Sequence, residues 1–161
     1  MTVDAVEEPF RTQLTVRLRE GDSLLGVALP GPCTFTSGHG VDVLWMGPDE
    51  YLVLGPELSR ESSDLEAELS RESSVLAVVD VSAQRNVFRL TGAHAADVLA
   101  HGCSIDLDPA VSPPGTCVQT LLARTGIVLM VREEGFTILV RQSFSDYFRA
   151  WLADASLEYV S

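Results

Sequence analysis

Two stretches of the chain repeat one pattern. VDVLWMGPDEYLVLG at 41–55 and GIVLMVREEGFTILV at 126–140 each hold two apolar, β-rich runs around a short turn, at 47–50 in one and 132–135 in the other. Runs of branched and aromatic residues interrupted by Gly, Pro or charged residues are the signature of a β-hairpin. At an offset of 85 residues Val43 falls on Val128, Leu44 on Leu129, Tyr51 on Phe136 and Leu54 on Leu139. A segment of helical spacing follows each hairpin, and one inserted residue brings Leu58, Leu65 and Leu69 onto Phe144, Trp151 and Ala155. A hairpin gains stability when a helix covers one of its faces. The pattern therefore predicts an α+β protein, one compact unit of 161 residues built from two halves, 10–75 and 76–161, each an antiparallel sheet with a helix on it.

The first of these helices is expected in ELSRESSDLEAELSRESS, 57–74, where ELSRESS starts at Glu57 and again at Glu68. Eleven residues make three helical turns with a drift of about 20°, so the two copies share a face. Leu58, Leu65 and Leu69 form a narrow apolar seam, and Arg60, Glu61, Asp64, Glu66, Arg71 and Glu72 surround it. The heptapeptide occurs nowhere else, whereas stacked repeats need about three units to bury a core. It decorates the outside of one helix, and its serines at 62, 63, 73 and 74 predict fraying before Val75. In the last helix Phe144, Tyr147, Phe148, Trp151, Leu152 and Ala155 have the spacing of a core-facing stripe. Ser143 and Asp146 there resemble a capping box.

The remaining segments complete the layers. FRTQLTVRLR, 10–19, alternates as a strand with Leu14, Val16 and Leu18 on one side. LLGVALPGPC reads as a packed loop leading to a short strand at 33–36, with SGHG, 37–40, as a turn. VLAVVDVS reads as a buried strand over 75–81, and NVFRLTG as a strand over 86–90. Thr91 is placed to cap a short helix, GAHAADVLAH, that Gly102 stops; a loop and then a strand at 117–124 follow.

Charge and composition narrow the function. The chain has 23 acidic and 11 basic residues, a net charge of −12, and every base is arginine. Without a basic patch, phosphate backbones and anionic membrane surfaces are disfavoured partners. The absence of lysine removes Schiff-base chemistry, the P-loop and any Ser-Lys dyad. Hydrophobic content of 46% with a mean hydropathy of +0.18 is high, which points to apolar surface kept for a partner. Cys33, Cys103 and Cys117 form no CxxC pair, as expected in a reducing cytoplasm. MTVDAVEEPFRTQ reads as neither signal nor transit peptide, and no window reaches 18 consecutive apolar residues. The chain reads as cytoplasmic.

Candidate chemistry is sparse. His94, Asp97 and His101 share a helical face and could offer three metal ligands, but Ala95, Val98 and Leu99 form the inward stripe, so the trio reads as a solvated face. Cys103 follows the negative end of that helix, a position that blunts a thiol, and reads as a packing residue. Asp80, at a strand end with Ser82 and Arg85 after it, is the best single candidate for a site or a polar anchor. No GxSxG, GxGxxG, HExxH or EF-hand loop is present.

WMGPDEYLVLGP at 45–56 and VVDVSAQRNVFRLTGAHAADVLAHGCSIDLDP at 78–109 resemble the gamma-subunit family of heterotetrameric sarcosine oxidase. TLLAR at 120–124, the IVLMVRE arm and a closing helix with Trp151 and Leu152 follow in the same order, so the resemblance spans residues 10–157. It implies an aminomethyltransferase-like, folate-binding-related fold and a role as a small accessory subunit. The complex would oxidatively demethylate sarcosine to glycine, forming peroxide and passing the one-carbon unit to tetrahydrofolate. The resemblance implies alpha, beta and delta subunits as partners, with FAD, FMN, NAD and tetrahydrofolate on the large alpha and beta subunits, and no catalytic residue, cofactor or metal in this chain. Aminomethyltransferases carry an acidic residue in the loop after the short helix and a paired-aspartate segment beyond it. Here the loop reads HGCSID and the later segment RTGIVLM, a departure that sets this chain apart from catalytic folate chemistry.

Trp45, Pro48, Tyr51 and Arg85 are the expected contact residues, because aromatic residues and arginine are enriched at interface centres. Core packing is the competing role for Trp45 and Tyr51. A stand-alone folate-binding or aminomethyl-transferring protein is the alternative function.

Overall fold

The computed structural model describes residues 3–56 and 62–159. The strands in chain order are β1 (Asp4–Glu7), β2 (Gln13–Leu18), β3 (Ser23–Leu24), β4 (Val27–Ala28), β5 (Phe35–Gly38), β6 (Val41–Gly47), β7 (Glu50–Leu54), β8 (Val75–Asp80), β9 (Arg85–Thr91), β10 (Cys117–Leu122), β11 (Thr125–Val131) and β12 (Phe136–Arg141). The α-helices are α1 (Ser62–Ser70), α2 (Ala95–Ala100) and α3 (Ser145–Ser156). Two compact units divide the chain, a continuous one at Pro9–Ala83 and a discontinuous one made of Met1–Glu8 with Gln84–Ser161. The strand from Val75 belongs to the continuous unit, and Asp4–Glu7 to the other.

The continuous unit is a five-stranded antiparallel sheet in the order β5-β6-β7-β2-β8, beside a two-stranded β3-β4 ribbon. The expected hairpin is there, β6 against β7, with an irregularity between Trp45 and Gly47. Leu14, Val16 and Leu18 of β2 are buried with Val43, Val53, Tyr51 and, from α1, Leu69. Leu65 is half-buried against the same cluster, so the second half of the leucine seam packs as its spacing requires. Residues 57–61, the first five of the seven in the first ELSRESS copy and Leu58 among them, lie outside the described residues. The stretch expected to be a loop holds the β3-β4 ribbon instead. Leu25 and Gly26 both have positive φ, 50° and 74°, which matches the primed two-residue turn whose twist fits a hairpin.

β8 corrects a second expectation. VLAVVD reads as a buried strand, yet β8 sits at the sheet edge with Leu76 57% and Val79 55% exposed. A continuous apolar run specifies a strand without specifying how many neighbours it has.

The discontinuous unit has the order β1-β9-β12-β11-β10, all antiparallel. The second hairpin, β11 with β12, is followed by a 3₁₀ turn at Gln142–Phe144 and then α3. Phe148 and Leu152 of α3 are buried with Phe88, Leu90, Leu129 and Ile138. The Phe88 and Phe148 rings meet edge-to-face at 4.7 Å, the arrangement ring quadrupoles favour. The predicted stripe splits, for Phe144 and Tyr147 are 43% and 40% exposed. Phe144 precedes the helix, and the first inward position belongs to buried Ser145, whose Oγ accepts a 2.9 Å bond from Asn86 Nδ2.

Both predicted caps fail. Thr91 closes β9, and α2 begins four residues on with His94 as N-cap and no side-chain cap bond. Ser143 lies in the 3₁₀ turn, while Asp146 pairs with Arg149 instead of closing a capping box. Arg149 also grips Glu7 of β1 through both carboxylate oxygens, at 2.7 and 2.8 Å. Gly135 is forced by space: its φ is +83°, and a Cβ there would stand 2.1 Å from the Leu90 carbonyl oxygen.

Candidate functional site

His94 and His101 pack against the C-terminal turn. His94 Nδ1 lies 2.7 Å from Asp97 Oδ2, and its ring stacks on Tyr159 at 5.0 Å. His101 Nε2 lies 3.3 Å from the Tyr159 hydroxyl. The two histidines thus hold the C-terminal 3₁₀ turn, Leu157–Tyr159, against α2. Desolvation, then the charges of Glu158 and Asp97, raise the Tyr159 phenol above its ordinary pKa. Among the described residues no group of three or more His, Cys, Asp or Glu is set to hold a metal. Cys103 is half-buried beside the discontinuous unit's core, its N–H donating to the Leu99 carbonyl at the helix's C-terminal end.

Asp80 acts as a local anchor. Its Oδ1 accepts the Ser82 N–H at 2.9 Å and the Ser82 hydroxyl at 2.6 Å, the turn an aspartate forms two residues ahead of itself. Buried Ser82 in turn accepts the Gln13 N–H at 2.9 Å. This chain of bonds fastens the end of β8 to the start of β2.

The four expected contact residues fall into both units. Trp45 and Tyr51 are cross-strand partners on β6 and β7. Tyr51 is buried in the continuous unit's core, and Trp45 is half-buried against it. Pro48 is exposed at the hairpin tip beside Asp49, which accepts a 2.8 Å bond from Arg17 Nη1. Arg85 opens β9 in the discontinuous unit, directly opposite Arg141 of β12, and donates to Gln84 Oε1 at 2.9 Å.

Arg85 and Arg141 line a cavity of about 450 Å³ on that sheet, together with Ser104, Gln119, Leu121 and Leu139. Arg141, which the sequence did not single out, stands beside Arg85 through strand register, which only the fold supplies. Two like charges directly opposite each other are unfavourable, and they give a strongly acidic chain a local cationic face. The cavity holds no nucleophile next to a general base. Its arginines, amide and apolar walls suit binding.

Exposed apolar side chains are the other surface feature. Leu76 and Val79 on β8, Leu121 on β10, Phe144 just before α3 and Tyr147 in its first turn stand in solvent. No helix among the described residues is long and apolar enough to cross a membrane.

The chain is similar to sarcosine oxidase gamma subunits. The sarcosine oxidase subunit gamma of Corynebacterium sp. (strain P-1) is 35% identical over 99% of this chain and 83% of its own length. The protein of the same name from Arthrobacter sp is 34% identical over 96% and 80%. Among solved structures, a chain of the heterotetrameric sarcosine oxidase from Corynebacterium sp. U-96 in complex with pyrrole 2-carboxylate matches with a TM-score of 0.85 and 32% identity, covering 99% of this chain and 86% of that one. The family described as sarcosine oxidase, gamma subunit, matches residues 19–158. With paired sheet-and-helix units, a surface of exposed apolar side chains and sequence likeness along nearly its whole length, the chain belongs to the sarcosine oxidase gamma subunit family.

Proposed function

We propose that this chain is the small accessory subunit of a heterotetrameric sarcosine oxidase and stabilises the assembly without supplying catalytic groups. The observation that carries this reading is 35% identity to a sarcosine oxidase subunit gamma over 99% of the chain. Its surface supports the reading: large apolar side chains stand in solvent on several elements, as expected for a chain that finishes its burial against partners. In this reading the partners are alpha, beta and delta subunits in the cytoplasm, the large alpha and beta subunits carrying FAD, FMN, NAD and tetrahydrofolate. The whole assembly converts sarcosine to glycine, with peroxide and methylene-tetrahydrofolate as the other products. An aminomethyltransferase-like ancestry fits the order of the DVS, TG, short helix and loop segments at 80–106. Trp45, Pro48, Tyr51 and Arg85 are proposed to make or support contacts, Trp45 and Tyr51 by holding the hairpin that presents Pro48.

Affinity purification of the tagged chain from its native host at low salt, followed by sizing and a visible spectrum, tests this. A larger yellow complex with sarcosine-dependent peroxide formation is the expected result. A small colourless species that binds tetrahydrofolate in calorimetry would overturn it in favour of a stand-alone folate-binding protein.

A further inference from the structure

Phe88 of β9, Ile138 of β12 and Ile127 of β11 belong to the core that holds Phe148 of α3. Side chains alternate along a strand, so Arg85, Arg141, Gly126 and Val128 lie on the opposite face of that sheet. Arg85 and Arg141 are direct partners. Ile127 pairs with Val140 and Gly126 with Leu121, which puts Gly126 next in the same row, between Arg141 and Leu121. These residues, with Gln119 of β10 and Leu139 of β12, line the cavity of about 450 Å³.

Gly126 keeps the floor of this cavity open. A Cβ there would meet no heavy atom within 4 Å, and its backbone is not in the left-handed region. Neither crowding nor conformation demands glycine here, and glycine weakens a strand. A strand glycine of this kind marks a place where something else approaches the backbone closely.

The lining also selects the charge of an occupant. Both charged residues of the cavity are arginines, and no carboxylate lines it. Arg17 and Arg149 each pair with two acidic side chains, whereas exposed Arg141 has no carboxylate partner among the described residues. Guanidinium groups facing each other repel, and their forked N–H donors match the two oxygens of a carboxylate. The net charge of −12 opposes an anion at long range. At 0.1 M salt that field fades over about 10 Å, so the groups beside the cavity decide. Two strand spacings, again about 10 Å, separate β12 from β10. A carboxylate at Arg141 therefore leaves an apolar body over Gly126 and Val128, with the Gln119 amide beyond it.

We propose that this cavity binds a small organic acid, its carboxylate on Arg141 and Arg85 and its apolar part over Gly126. The site belongs to the chain itself and is additional to its role as a subunit.

Calorimetric titration of the full chain with benzoate, and with its uncharged amide, benzamide, tests the proposal. Benzoate should bind at least tenfold more tightly than benzamide. Arg141→Gln should remove that preference, and Gly126→Val, which fills the floor, should weaken benzoate at least tenfold while the chain melts as the wild type does. No benzoate binding, equal binding of the two probes, or binding that both substitutions leave intact overturns the proposal. In the complex co-purified from its host, benzoate binding that Arg141→Gln removes supports a free acid as the occupant. If Arg141→Gln alters benzoate binding in the chain alone and not in the complex, a partner fills the cavity, and the proposal is overturned while the subunit reading stands.

Discussion

β1 and β8 occupy the same place in two sheets of matching order, each beside the strand that neighbours the hairpin, yet one reads DAVE and the other VLAVVD. Every residue of β1 is exposed, and Glu7 is held by Arg149 of α3. Its carboxylates keep their hydration and repel a further strand of this acidic chain. β8 is apolar until Asp80, with Leu76 and Val79 in solvent, and its ladder to β2 shifts register between Arg17 and Leu18. The contrast teaches that edge position alone does not set the chemistry of an edge; the side chains beside it do.

The helices extend the comparison, and breaking them should give the largest effects. Phe148→Ala removes the ring against Phe88 in a fully buried position and should cost about 4 kcal/mol in urea denaturation. Leu69→Ala, the matching loss beneath α1, should cost roughly 3 kcal/mol, because a smaller side chain leaves a smaller cavity. If the two costs were reversed, the leucine seam and not the aromatic stripe would be the stronger cover.

The hairpins sharpen the comparison next. Gly135→Ala should destabilise by roughly 2 to 3 kcal/mol, since the added methyl meets the Leu90 carbonyl at a positive φ. Glu50 stands at the equivalent place of the first hairpin and is half-buried; Glu50→Ala should change stability by no more than about 0.5 to 1 kcal/mol, the value of its surface ion pair with Arg17. Equal losses at the two positions would show that the turns carry the same steric load.

Two surface changes probe the edges with the smallest effect on folding. Asp80→Ala removes the acceptor of two bonds from Ser82 and should cost about 1 kcal/mol, read as faster amide exchange at the end of β8. Asp4→Val makes β1 more like β8 and should leave stability within about 0.5 kcal/mol, while light scattering shows more self-association at high concentration. Unchanged scattering would mean that Glu7 alone is enough to keep that edge bare.

The hairpin-and-helix pattern was legible because its signals are local. Alternation and turn residues specify β6, β7, β11 and β12, and spacing specifies α3. Leu14, Val16 and Leu18 were correctly read as one buried face. The candidate site was less legible. Arg85 stood out, but its partner Arg141 is 56 positions away in sequence and joins it only through strand register. The caps failed for a related reason: Thr91 and Ser143 have suitable chemistry, but the ladder of β9 and the turn before α3 had already taken their backbones.

Composition and periodicity by themselves determined an acidic α+β chain with two sheet-and-helix units, because charge, alternation and helical spacing act between residues close in sequence. Tertiary structure alone decided that Val75–Asp80 is an outer strand, that Asp4–Glu7 joins the sheet of residues 85–141, and that Phe144 and Tyr147 face water. Burial depends on which distant segments arrive as neighbours. An apolar run carries the same letters whether it has one partner strand or two, so only the assembled sheet reveals that β8 is left open on one side.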